Sequence, residues 1–137
     1  NNISSLREFY EKNNIKNKIF DYDQDLSNKM YQADLCITRA GASTLAELSL
    51  TNTPFVAVPL PTSTDNHQFE NANFYAKNDS CWIIEQKYFD EKIEELLGYI
   101  FNDKDDYLKK KENLKRLNFN NSWNNVNQKI LETINEN

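Results

Sequence analysis

Short, unbroken apolar runs alternate with stretches of helical periodicity along most of this 137-residue chain. The apolar runs cover 34–38, 55–58 and 81–84, and the intervening segments 43–50 and 67–77 carry apolar residues at helical spacing. Runs with no polar alternation are typical of parallel strands that are buried on both faces and joined by right-handed helical crossovers. The pattern therefore predicts an α/β layered fold with a parallel sheet and helices on both faces.

The remaining elements are predicted from the same periodicities. They are helices over 3–13, 89–101, 105–117 and 123–134, a helix that Asp25 caps and that runs through Ala33, and a short strand over 18–22. A chain of this length fits one domain, 1–137, because domains commonly contain about 100–200 residues. The C-terminal helices in 105–137 are expected to pack back on the sheet or on a partner.

Composition excludes several classes of function. With 16 basic and 21 acidic residues the net charge is −5, which argues against broad nucleic-acid binding. The basic run 109–111 is interpreted as a solvated face of a helix. No apolar window approaches the roughly 20 residues of a membrane span, so a soluble, cytoplasmic chain is expected. Cys36 and Cys81 lie in apolar runs without metal-ligand spacing. Neither a metal nor a cofactor is predicted.

The first candidate site, residues 38–47, follows an apolar strand, and ligands of parallel sheets bind beyond the carboxyl ends of the strands. Gly41, flanked by alanines, would let the backbone turn tightly and approach a ligand. The new helix would offer unpaired amides at Ser43, Thr44 and Leu45, and amides at a helix start bind phosphate well. This segment predicts a phosphate site.

Two charged residues in this segment have competing interpretations. Glu47 completes the sequence Thr44-Leu45-Ala46-Glu47, which matches a capping box, but a carboxylate near a helix start can also accept both hydroxyls of a ribose. Arg39 could pair with a phosphate, with a domain edge or in a surface ion pair. The residues alone leave these alternatives open.

A second polar segment follows the next strand. Asp65 or Asn66 is a plausible N-cap, and Gln68 and Asn71 share one face of the helix that follows, with His67 beside them. Amides recognise sugar hydroxyls, although amides on a helix are often simply solvated. A lone histidine is commonly a structural or capping group, and no triad partner stands at a suitable spacing, so nucleophilic catalysis has no support.

Residues 39–47 and 59–72 together carry the blocks R-A-G-A-S-T-x-x-E and P-L-P…D-x-H-Q-x-x-N-A. At this separation they closely resemble the MurG family, the UDP-N-acetylglucosamine:undecaprenyl-diphospho-muramoylpentapeptide N-acetylglucosaminyltransferases of peptidoglycan synthesis. The resemblance extends across the whole chain. It implies a GT-B glycosyltransferase of two Rossmann-like halves, with this chain as most of the C-terminal, donor-binding half, lacking its first strand.

The resemblance also implies roles for individual residues. The amides around Ala42, Ser43 and Thr44 would hold the diphosphate of UDP-N-acetylglucosamine (UDP-GlcNAc), and Glu47 would hold the ribose. Gln68 and Asn71 would contact the sugar, and the backbone near Asp23 would read the uracil. The implied substrate-binding set is Asp23, Arg39, Ala42, Ser43, Thr44, Leu45, Glu47, His67, Gln68 and Asn71.

For the whole enzyme the family implies inverting transfer of N-acetylglucosamine to lipid I, giving lipid II, at the cytoplasmic face of the bacterial inner membrane. The family's G-G-T-G-G-H and G-G-S-x-G-A loops do not occur in the sequence. The N-terminal acceptor domain and the catalytic base are therefore expected outside this chain, which would be inactive alone. Two alternatives are a non-catalytic UDP-sugar-binding subunit of a two-chain glycosyltransferase and a protein-interaction module.

Overall fold

The computed structural model describes residues 2–62 and 66–120 and contains a three-stranded parallel sheet with helices on both faces. The three strands lie in the sheet in chain order, and a 3-10 turn, Gln86–Tyr88, follows the last of them. Within these residues no helix is long and apolar enough to cross a membrane. In chain order the elements are α1 (Asn2–Lys12), α2 (Leu26–Gln32), β1 (Cys36–Thr38), α3 (Ala42–Leu50), β2 (Phe55–Ala57), α4 (His67–Lys77), β3 (Trp82–Ile83), α5 (Phe89–Asn102) and α6 (Lys104–Asn120).

The central strand β2 is fully buried because its side chains meet a different apolar cluster on each face. Phe55 and Ala57 pack with Leu45 of α3 and with residues of α2, α4 and α6. Val56 points to the opposite face, where Ile100 of α5 closes the second cluster. A strand covered on both faces is expected to be apolar without alternation, so the predicted layered α/β fold is confirmed.

The observed strands are shorter than the predicted apolar runs, but backbone hydrogen bonds continue past their ends. The Val58 amide donates to the Thr38 carbonyl at 2.8 Å, and the Ile84 amide donates to the Ala57 carbonyl at 3.0 Å. Because all three strands are parallel, their carboxyl ends and the loops that follow lie at one edge of the sheet.

One predicted element is absent and another cannot be compared. Residues 18–22 were predicted as a strand but form no regular element, and most of them are exposed. A strand needs a neighbour to satisfy its backbone groups, and in the part of the chain that the structure describes none lies beside this segment. The helix predicted over 123–134 lies outside the described residues.

Helix α6 is fixed to the turn between α4 and β3 by a buried lysine. Lys110 is only 6% exposed, and its Nζ lies 2.6 Å from Asp79 Oδ1 and 3.1 Å from Asp106 Oδ1. The same Nζ lies 5.3 Å from the ring centroid of Trp82. The interpretation of 109–111 as a solvated helix face was therefore wrong for Lys110, because the side chain of Lys110 packs against Asp79 in the turn before β3.

Candidate functional site

The carboxyl edge of the sheet is organised by the first two turns of α4. The Asn71 Nδ2 donates to the Ala40 carbonyl at 3.0 Å, in the loop after β1. The Gln68 Oε1 accepts the Leu60 amide at 3.0 Å, in the loop after β2. Two amides predicted to share one helix face therefore each connect α4 to a different loop at this edge.

Replacing Asn71 by alanine is expected to lower the free energy of unfolding by about 1–3 kcal/mol, because the carbonyl of the fully buried Ala40 would lose its donor. Urea denaturation measures the change. The matched control is Asn28→Ala, because Asn28 is exposed and its side chain contacts Asp25 at the long distance of 3.4 Å. We expect the control to change stability by less than about 0.5 kcal/mol. Equal losses in the two variants would contradict the bracing role of Asn71.

Helix α3 begins one residue earlier than predicted, so the set of backbone amides that have no acceptor inside the helix differs from the predicted set. Gly41 is the N-cap, and the Leu45 amide donates to the Gly41 carbonyl at 3.0 Å. The prediction of an unpaired amide at Leu45 was therefore wrong. Helix geometry instead leaves the amides of Ala42, Ser43 and Thr44 without an acceptor inside the helix. Within residues 2–62 and 66–120, no side-chain hydrogen bond caps this helix start.

The loop before α3 does not require glycine for its backbone conformation. Gly41 has φ −67° and ψ 135°, which any residue adopts. A Cβ atom added to it would lie 3.9 Å from Thr44 Oγ1, at ordinary contact distance. The turn therefore does not depend on the conformational freedom of Gly41, whereas the close approach of a ligand to this backbone stays a prediction.

Glu47 does not belong to a capping box. The box would need Thr44 as the N-cap, but Thr44 is the third residue of α3 and Gly41 is the cap. The exposed Glu47 side chain instead extends toward α2, where its Oε1 accepts the hydroxyl of Ser27 at 2.5 Å. The capping interpretation is excluded, and the carboxylate stands beside the N-terminal part of α2.

Arg39 extends across the carboxyl edge of the sheet toward the end of β3. Its Nη1 donates to Gln86 Oε1 at 2.7 Å and to the Val58 carbonyl at 3.4 Å. With Phe89 and Asp90 these groups line a cavity of about 480 Å³ on the α5 side of the sheet. Among the described residues, the Arg39 guanidinium therefore donates hydrogen bonds to neutral oxygen atoms. Sequence analysis missed Gln86, although it follows the third strand as the other motifs follow the first two.

Asp23 and His67 lie at the starts of two different helices, α2 and α4. Asp23 precedes α2, where its Oδ1 accepts the Asp25 amide at 2.8 Å and its Oδ2 pairs with Lys29. The hydrogen bond from Lys29, with that from the Asp25 amide, lowers the pKa of Asp23. His67 is exposed and is the first residue of α4, with Asn66 as the N-cap in the left-handed region at φ 59°.

Comparison with known proteins decides the family. Residues 1–126 match the family model of the glycosyltransferase family 28 C-terminal domain. The chain belongs to glycosyltransferase family 28. The family 28 match covers the parallel sheet, both loops at its carboxyl edge and α6, so the predicted resemblance is confirmed at the level of the family and of the domain.

Two family 28 relatives carry the name UDP-N-acetylglucosamine--N-acetylmuramyl-(pentapeptide) pyrophosphoryl-undecaprenol N-acetylglucosamine transferase. The protein from Pelagibacter ubique is 52% identical over 138 aligned positions, which are 99% of this chain and 38% of that protein. The protein from Sulfurovum sp. is 41% identical over 98 positions, 71% of this chain and 29% of that protein. This family 28 chain therefore spans less than two fifths of the length of these relatives.

A solved structure agrees with the family 28 assignment. The crystal structure of Acinetobacter baumannii MurG superimposes with a TM-score of 0.66 and 26% identity, over 75% of this chain and 30% of that one. Together with the family match, this places the sheet and its flanking helices as the C-terminal half of a GT-B glycosyltransferase fold. The fold class predicted from the two sequence blocks is confirmed.

Proposed function

We propose that this chain binds the donor UDP-GlcNAc, as the donor-binding part of an N-acetylglucosaminyltransferase of the MurG kind. The observation that carries the proposal is the start of α3, where Gly41 is the N-cap and the amides of Ala42, Ser43 and Thr44 have no acceptor inside the helix, with Glu47 farther along the same helix. The names of the family 28 relatives supply the donor class.

The diphosphate is assigned to the amides of Ala42, Ser43 and Thr44. A helix start carries a partial positive charge worth about 0.3–1 kcal/mol toward an exposed anion, and each amide adds a directed hydrogen bond. Gly41 supports this assignment because it places no side chain over the helix start. Leu45 is left out, since its amide is already bonded and its side chain is buried.

The nucleoside is assigned to Glu47 and to the segment entering α2. Glu47 would accept the ribose hydroxyls, and the backbone near Asp23 would read the uracil edge. The hydrogen bond between Ser27 and Glu47 supports this pairing, because it brings the start of α2 alongside α3. The base and the ribose of one nucleotide could therefore be bound by neighbouring elements.

The sugar is assigned to the α4 side of the edge. Gln68 and Asn71 would contact the N-acetylglucosamine hydroxyls with His67 beside them, while already fixing the loops after β2 and β1. Arg39 would lie at the margin of the donor cleft, where Gln86 orients it. Because the two amides also hold the loops, substitutions there would affect both folding and sugar binding.

In the whole protein this donor site would serve inverting transfer of N-acetylglucosamine to lipid I, giving lipid II at the membrane surface. Charge develops on the leaving diphosphate during transfer, and the α3 amides would stabilise it electrostatically. No residue of this chain is assigned as the catalytic base. The acceptor site and the base are assigned to the remainder of the longer protein.

Calorimetric titration of the chain with UDP, uridine and ADP tests the donor assignment. We expect UDP to bind at least about tenfold more tightly than uridine, because uridine lacks the diphosphate that meets the α3 amides. ADP should bind more weakly than UDP. Equal affinities for UDP and uridine, or no binding of UDP, would contradict the proposal.

A further inference from the structure

Ser27 on α2 makes a direct contact with the carboxylate assigned to the ribose. Its Oγ lies 2.5 Å from Glu47 Oε1, across 20 positions of sequence, and both residues are exposed. A hydroxyl that donates to an ionised carboxylate gives a short, strong bond of about 2.5–2.7 Å. Among the described residues, Ser27 is the donor that the Glu47 carboxylate meets.

The backbone around Ser27 is held by contacts of residues that precede and follow it in the chain. On the N-terminal side, Asp23 accepts the Asp25 amide at 2.8 Å and pairs with Lys29. On the C-terminal side, Met30 is buried and its carbonyl accepts the Thr53 hydroxyl at 2.8 Å. These contacts hold the part of the backbone from which the serine hydroxyl reaches Glu47.

We propose that Ser27 is a positioning residue that orients the Glu47 carboxylate for a nucleotide ribose. A carboxylate accepts about four hydrogen bonds, so the serine uses one and leaves acceptor sites on both oxygens for two vicinal hydroxyls. A glutamate on an exposed helix surface otherwise samples several rotamers, and binding would have to restrict them. This inference rests on the proposed binding of UDP at Glu47.

Comparing the affinities for two ligands distinguishes a positioning role of Ser27 from a general contribution of Ser27 to the stability of the fold. UDP carries both ribose hydroxyls, and 2′,3′-dideoxy-UDP lacks both. We expect Ser27→Ala to weaken UDP binding by about 2- to 10-fold, the factor that corresponds to ordering one flexible side chain. Its affinity for the dideoxy ligand should stay within about twofold, because that ligand makes no use of the carboxylate.

Matched variants complete the test. Ser27→Thr keeps the hydroxyl and should retain most of the UDP affinity, and Ser27→Ala should add nothing to the loss caused by Glu47→Ala, because the serine acts through that carboxylate. The unfolding midpoint of each variant is measured alongside, to exclude differences in folded fraction.

Each contrary result has a distinct meaning. Unchanged UDP affinity in Ser27→Ala, with a loss in Glu47→Ala, would overturn the positioning role and leave the donor assignment standing. Tighter UDP binding would show that the serine competes with the ribose, and equal losses for both ligands would show a general effect on the fold; either overturns the inference. If the unaltered chain binds no UDP, the proposed function fails and this inference fails with it.

Discussion

The Lys110→Met variant is expected to lower the free energy of unfolding by about 2–4 kcal/mol. Breaking a buried ion pair by removing one partner commonly costs about 3–5 kcal/mol, since the other charge is left uncompensated. We expect a loss toward the lower end of this range because the Asp79 side chain is 42% exposed and stays partly hydrated. The side chain of Asp106 is 18% exposed. Methionine keeps the apolar stem and removes only the charge. Urea denaturation measures the loss.

The charge of Lys110 persists because its partners outweigh its burial. Burial opposes the ammonium form, but hydrogen bonds to Asp79 and Asp106 raise the pKa of Lys110 overall. The Lys109 hydrogen bond, followed by that of Lys110, lowers the pKa of Asp79. Asp79 and Lys110 are therefore both charged near neutral pH.

Lys109→Met is the matched control, because Lys109 binds the same carboxylate from an exposed position. Its Nζ lies 2.7 Å from Asp79 Oδ2, but its side chain is 65% exposed. Exposed ion pairs contribute little to stability because solvent screens them, so the control should lose much less free energy of unfolding than Lys110→Met. Equal losses for the two lysines would contradict the view that the buried one fixes α6 to the sheet.

The Glu47→Gln variant is expected to weaken binding of UDP by about 10- to 100-fold, because hydrogen bonds to a charged group contribute about 1.5–3 kcal/mol and the ribose would lose its carboxylate acceptor. Glutamine has nearly the same size, and Glu47 is exposed, so the fold should be little affected. Calorimetric titration gives the affinity, and circular dichroism checks the fold.

Glu95→Gln serves as the control for loss of one negative charge, because Glu95 is exposed on α5, on the opposite side of the sheet from α3. Its affinity for UDP should stay within about twofold of the unaltered chain, since exposed charges separated by more than about 10 Å are largely screened at 0.1 M salt. A Glu47→Gln variant that binds UDP as tightly as this control would show that the ribose is bound elsewhere.

Elements defined by local pattern were predicted well. The apolar run containing Phe55 and Val56 became the central strand because burial on both faces leaves no place for a polar residue. Helix α4 has the predicted bounds, His67–Lys77. The strand predicted over 18–22 did not form, because a strand depends on a partner that a local pattern does not reveal.

Contacts between distant positions could not be predicted in the same way. The burial of Lys110 depends on Asp79, 31 positions away, and the environment of Glu47 depends on Ser27, 20 positions away. The capping interpretation of Glu47 failed because the backbone enters α3 at Gly41, three residues before Thr44. Motif spacing predicted the sheet edge at which the donor site is proposed, whereas tertiary contacts determine which polar atoms at that edge are already hydrogen-bonded.

The most direct test of the donor site is a titration of the ¹⁵N-labelled chain with UDP, followed through its amide resonances. The account predicts that the largest shifts occur at the amides of Ala42, Ser43 and Thr44, since these meet the diphosphate. Largest shifts around the cavity lined by Arg39 and Gln86, or no shifts at saturating UDP, would contradict it.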